Sequence, residues 1–241
     1  MKVQIVLRLI IFFRNLERGL MYAVIFLLSL SLYSIEVPEL IQKSSKEYDR
    51  ERRLIKNYKV FQEITSEIKS STGSTLEKRK QIGYFVAPDK FFFFTKEKLI
   101  NNQQITVSQT EVERTTKKEI DWLSAEGLKK YQFSLLEEGQ NYYHLYVLPR
   151  EKFADAMKGE IWIHKDTGKI SRILKEPVNP KPGFESYKTE VFFDIPYLFQ
   201  EPSFTRVHAV YFENAKRMEA KVEVLFSDYQ FNVNLSKLES K

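Results

Sequence analysis

Arg217-Met218-Glu219-Ala220-Lys221-Val222-Glu223-Val224-Leu225-Phe226 lies near the end of the chain and alternates charged with apolar residues along most of its length. Successive side chains of an extended strand point to opposite faces. Met218, Ala220, Val222, Val224 and Phe226 therefore share one side, and Arg217, Glu219, Lys221 and Glu223 the other. The stretch predicts a sheet with one wet face and one greasy face. Weaker copies recur at Tyr131, Phe133 and Leu135, at Tyr143, Leu145 and Val147, and at Ile161 and Ile163. Such a sheet must cover its apolar face, either with helices of its own or with a lipid.

Working outward, the same alternation predicts strands over 58–69, 76–86, 130–136, 142–148, 159–164, 169–175, 187–194 and 206–212. Lys165-Asp166-Thr167-Gly168 reads as a tight turn, 178–183 as a loop, and Asn101-Asn102 and Asn214-Ala215 as further turns. Phe91 to Phe94 has no alternation at all, which is read as a central strand covered on both faces or as a hydrophobic ligand wall. Leu40, Ile41, Tyr48, Leu54 and Ile55 are spaced for an amphipathic helix. Ser108 and Glu111 match a capping box, which predicts a second helix from Gln109 to about Leu123, and Gly127 is read as a breaker after it.

A chain of 241 residues accommodates one generous β-domain, and a single core is the simplest reading. There is no cysteine, which excludes disulfides, thiolate chemistry and cysteine metal sites. A net charge of +6 is shared with many nucleic-acid binders, but Lys2, Arg8, Arg14 and Arg18 against Glu17 supply a surplus of three within the first 34 residues. Elsewhere lysines and glutamates are interspersed, as on a solvated face, so no nucleic-acid partner is expected. Leu20 to Tyr33 is a 14-residue uncharged run behind a basic flank. That is the build of a secretory signal peptide, shorter than the roughly 20 residues of a membrane span. Residues 1–34 are accordingly read as a signal peptide, with an uncleaved inner-membrane anchor or a start at Met21 as alternatives, and 35–241 as one domain.

The chain offers little chemistry. His144, His164 and His208 fall on separate predicted strands with no second ligand at metal spacing. No phosphate-binding glycine loop or nucleophile elbow occurs, and Asp166 sits in a turn where its side chain serves its own backbone. No catalytic residue, metal or cofactor is expected.

Several segments in order resemble the outer-membrane lipoprotein-sorting proteins, the LolA/LolB-like superfamily. They are Asn57-Tyr58-Lys59-Val60-Phe61-Gln62-Glu63 after an opening helix, Ser108-Gln109-Thr110-Glu111, the run from Gly159 through Trp162 and Asp166-Thr167-Gly168 to Ile170, and Val224-Leu225-Phe226-Ser227-Asp228-Tyr229. The resemblance spans about residues 38 to 235. It implies a mainly β (α+β) fold, an incomplete antiparallel β-barrel wrapped over a few amphipathic helices. It also implies a hydrophobic cavity for lipoprotein acyl chains or another lipid, a periplasmic location, and donor and acceptor proteins at the inner and outer membranes. Candidate lining residues are Phe133, Leu135, Leu145 and Val147, then Ile161, Ile163, Val191 and Phe193, and finally Val222, Val224 and Phe226. A packed core would use the same residues. The helices at 39–55 and 109–123 would form a movable lid. The same architecture also serves envelope-stress sensors that bind a protein partner, and a membrane-anchored structural domain is a further reading.

Overall fold

The computed structural model describes residues 39–87, 90–107, 112–115, 121–193 and 200–234. The N-terminal segment 1–34 and the Ser108/Glu111 capping box lie outside these residues. The chain divides into two compact units, Met1–Gln42 and Lys43–Lys241. Of the first, only residues 39–42 are described, and they are helical.

The second unit is built on antiparallel pairing. A helix, α1, occupies residues 39–54 and enters this unit at Lys43. Strands β1 (Asn57–Ser70), β2 (Gly73–Val86) and β3 (Lys90–Ile100) form a meander whose far edge carries the short β4 (Gln103–Gln104) and β5 (Val112–Thr115). A short helix, α2 (Ala125–Lys130), then precedes β6 (Tyr131–Glu138), β7 (Tyr142–Pro149), β8 (Met157–His164) and β9 (Ile170–Pro177). The series ends with β10 (Phe184–Phe192), β11 (Phe204–Glu213) and β12 (Lys216–Phe231). The strand order is β4-β3-β2-β1-β12-β11-β10-β9-β8-β7-β6, with β5 also on β3. Among the described residues the end strands β4 and β6 do not pair, so this is an incomplete barrel, the architecture that the resemblance implies.

The opening stretch forms the first part of β12, which pairs with β1 on one side and β11 on the other. It continues to Phe231, beyond the expected end at Phe226, because a bulge intervenes. Ser227 faces Phe61 while Gln230 faces Lys59, and Asp228 takes a positive φ of 53°. The one extra residue flips the alternation, so the inward positions pass from Phe226 to Tyr229.

Three expectations are corrected. The region expected to be helical from Gln109 to Leu123 contains strand β5 at Val112–Thr115 and a turn at 122–123, so no lid helix spans it. Helix formation starts later, where the Ser124 hydroxyl accepts from the Gly127 backbone N–H. Gly127 is therefore inside α2 rather than a breaker, and a Cβ there would fall 2.2 Å from the Asp121 carbonyl. The phenylalanine run is not covered on both faces: all four rings are partly exposed on β3, near the edge of the sheet.

Leu40, Ile41, Tyr48 and Ile55 of the expected apolar stripe are buried, and Leu54, 56% exposed, is the exception. The polar residues Ser44 and Glu51 are buried on the helix as well, which the pattern did not predict. Polar partners explain this. Glu51 takes Lys169 Nζ at 2.8 Å and the backbone N–H of Gln200 at 2.9 Å, and Lys43 Nζ donates to the Asp166 carbonyl in the β8–β9 turn at 2.7 Å.

The apolar interior has two filled regions. Ile55, Tyr58, Val60 and Phe85 cluster at one end of β1 and β2, where Tyr58 stacks on Phe85 with ring centroids 5.0 Å apart. Leu123, Tyr131, Leu145, Val147, Ile161 and Ile163 are almost wholly buried around β6 to β8. Close approach between β8 and β9 depends on Gly159, whose φ is +152° and where a Cβ would fall 2.0 Å from the Leu174 carbonyl. Gly159→Ala is expected to cost more than about 2 kcal/mol in urea unfolding; a loss below about 0.5 kcal/mol would contradict this packing.

Candidate functional site

Between the two filled regions the sheet leaves a cavity of about 570 Å³. The register of the strands builds its wall. Val60, Gln62 and Ile64 of β1 face inward, and the paired β2 positions place Gly83, Gln81 and Arg79 beside them. Phe93 of β3 lies opposite Gly83, with Phe91 two residues back on the same face. On the other flank, Val224 of β12 pairs with Ile64 and Phe226 with Gln62. Val191 and Phe193 at the end of β10, Ile170, Ile173 and Lys175 of β9, and Ile161 of β8 continue the wall, and Tyr58, Tyr84 and Tyr229 also border it.

Tyr48 and Arg52 from α1, Trp122 and Leu123 from the turn before α2, and Glu201 with Pro202 from the β10–β11 connection form the remaining border. They hold a compact charged network. Arg52 Nη1 donates to Glu201 Oε1 at 2.7 Å, and Arg52 Nε donates to the Tyr48 hydroxyl at 3.1 Å. The Tyr48 hydroxyl in turn donates to Asp121 Oδ2. Burial pushes the Tyr48 hydroxyl far above the usual tyrosine range, and the Asp121 carboxylate adds to that shift. Burial is the largest influence on the Arg52 charge and works against it, but the combined attraction of Glu201, Tyr48 and Asp121 outweighs it and keeps the guanidinium protonated. Glu201 is 5% exposed, and burial raises its carboxyl above the usual range although Arg52 pulls the other way. These groups tether α1 across the cavity border; they present neither a free nucleophile nor a paired acid and base.

The expected lining residues divide. Ile161, Val191, Phe193, Val224 and Phe226 lie in the cavity wall. Leu145, Val147 and Ile163 are completely buried beside β8 and belong to packed interior, not to this wall. Phe133, Leu135 and Val222 are partly buried and also lie off it. The wall includes residues that the sequence left out. Val60 and Ile64 carried a visible signal, since they alternate with Lys59 and Glu63, but their place beside β12 depends on pairing between chain segments far apart. Phe91 and Phe93 were hidden inside the unbroken phenylalanine run.

The histidines stand elsewhere. His144 stacks on Trp162 at 4.2 Å and meets Glu160 at 2.8 Å, and His208 meets Glu219 at 3.0 Å. Among the described residues no three metal-ligating side chains converge.

Removal of Arg52 would leave the Glu201 carboxylate buried without its counter-charge. A carboxyl whose folded pKa is raised is best accommodated below its unfolded pKa of about 4.3, and its stabilising share is lost as pH rises through the folded value. Arg52→Met raises that folded value further, so the variant's deficit is expected to grow with pH. With the Arg52 side chain 35% exposed, the loss should reach about 2–3 kcal/mol in denaturant unfolding at pH 8, and at least about 1 kcal/mol less at pH 5. An equal loss at both pH values would contradict the electrostatic role.

No family model and no curated protein matches the chain. Among solved structures, the chain is similar to one from Vibrio parahaemolyticus named for an outer membrane lipoprotein-sorting protein domain, with 14% identity and a TM-score of 0.44 over 82% of this chain and 94% of that one. It is similar to a LolA superfamily protein from Nitrosomonas europaea, with 9% identity and a TM-score of 0.40 over 80% and 96%. A DUF1329 family protein from Desulfovibrio piger aligns with 12% identity and a TM-score of 0.41 over 84% and 96%.

Proposed function

We propose that this protein is a non-catalytic carrier that binds the acyl chain of a lipid or lipoprotein within the incomplete barrel, in the bacterial envelope. The observation that carries the reading is the cavity: about 570 Å³ of space bordered by Val60, Ile64, Phe93, Val191, Val224 and Phe226. That volume lies in the range of small-ligand sites, about 300–1,000 Å³. An acyl chain gains about 0.8 kcal/mol for each methylene taken out of water, so ten carbons supply several kcal/mol without any chemistry.

Arg79, which pairs with Glu77 at 2.7 Å, and Lys175 also line the cavity, so a polar head on that side meets charged groups. Both lie toward the strand ends remote from the Tyr58 aromatic cluster. We place the head on their side and the chain's apolar end toward Phe91 and Tyr229. Export is supported by the uncharged run Leu20–Tyr33 behind Arg14 and Arg18. No described helix is long and apolar enough to cross a membrane.

Release of so much buried hydrocarbon calls for opening. The α1 tether is the element that can leave the sheet without breaking strand pairing, so it is the proposed gate; a membrane-located acceptor would take up the chain as it opens.

A fluorescent fatty-acid analogue with a twelve-carbon chain is expected to bind with micromolar affinity. Val224→Trp, which projects bulk into the cavity, should weaken binding at least tenfold while leaving the unfolding midpoint within about 3 °C of the parent. Unchanged affinity in a folded Val224→Trp protein would contradict the site.

A further inference from the structure

Gln62 and Gln81 are an odd pair to find in an apolar wall. They face one another across β1 and β2, and both line the cavity. They are 7% and 5% exposed. Val60 and Ile64 flank Gln62 on the same face of β1, Gly83 follows Gln81 on β2, and Phe226 sits opposite Gln62 on β12. Gln81 Nε2 donates to Gln62 Oε1 at 2.5 Å. Gln81 Oε1 is buried and accepts from no described residue.

A buried amide oxygen without a donor is costly, and two leucines at these positions would hold a bare hydrocarbon with no such penalty. The pair becomes favourable when the occupant itself brings a donor to this point in the wall. A plain acyl chain has none, and an ester linkage only accepts. An amide N–H or a hydroxyl donates.

We propose that the cavity selects acyl chains bearing an N–H or O–H donor, which hydrogen-bonds to Gln81 Oε1 once that buried amide turns toward the occupant. This rests on the acyl-chain reading and narrows its substrate class. The donor sits partway along the occupant, two residues along β2 from Arg79, a distance of about 7 Å. Apolar chain continues past Gly83 toward Phe91 and Phe93. An amphiphile with its only polar group at the terminus would leave Gln81 unpaired.

Two probes that differ only in one linking group test this: N-propyldodecanamide and propyl dodecanoate, titrated into the full-length protein by displacement of the fluorescent fatty-acid analogue. The parent protein is expected to bind the amide about fivefold more tightly than the ester. In the double variant Gln62→Leu/Gln81→Leu, which removes both amides together, the preference should fall to about onefold. Gln81→Met provides a second reading of the same loss should the double variant not fold. Equal binding of amide and ester by the parent, or an undiminished preference in folded variants, would overturn the donor-selective site while leaving acyl-chain binding intact. Failure of the parent to bind either probe or the fatty-acid analogue would overturn both.

Discussion

The structure depends on the pairing of β1 with β12. These are the first and last strands along the chain, neighbours in the middle of the sheet, and their register runs from Tyr58 opposite Phe231 to Lys69 opposite Glu219. Each of the two meanders, β1 to β4 and β6 to β12, has a free flank until this ladder forms. Joining them places Val60, Gln62 and Ile64 beside Phe226 and Val224, and so makes one continuous inner wall from β3 round to β8. The ladder closes a loop of more than 150 residues, so it carries the entropy cost of a long-range contact and is expected to form late in folding.

Wall and cover obey different physics. The ends of the inner face are packed by large rings and branched side chains, with Tyr58 on Phe85 at one end and Leu145, Val147 and Ile163 near the other. These contacts are non-directional and set how far the sheet can curl. The helix α1 is held instead by directional partners: Glu51 to Lys169 and Gln200, and Arg52 to Glu201. Burial of charge makes such contacts weak as sources of net stability but strict about geometry, because any displacement leaves a charge unpaired. A helix fixed by polar contacts at a cavity's border contributes little packing to that cavity.

Much of this was legible in the chain. Period-two alternation located the strands because each has one solvated face, and the turn chemistry of Asn101, Asn102 and Asn214 matches their positive φ values. Three kinds of information were not local. The alternation in β12 breaks at Asp228, so the bulge that turns Tyr229 inward hides from any pattern count. The face of Phe91 to Phe94 that lines the cavity is set by β2, since four identical rings carry no parity of their own. The buried polar stripe on α1 is intelligible only once Lys169 and Gln200 are known to approach it. The same limit explains the candidate lining residues. Parity groups Ile161 with Ile163 and both are fully buried, but only the fold shows that Ile161 belongs to the cavity wall while Ile163 does not.

The central claim is that the hollow between β3 and β8 takes up a hydrocarbon chain. Native mass spectrometry of the protein purified from cell envelopes under non-denaturing conditions reads this directly. The account predicts a bound population heavier than the polypeptide by the mass of one acylated species, released on mild activation. A spectrum showing only the bare polypeptide, both as purified and after incubation with excess dodecanoyl lipid, would contradict it.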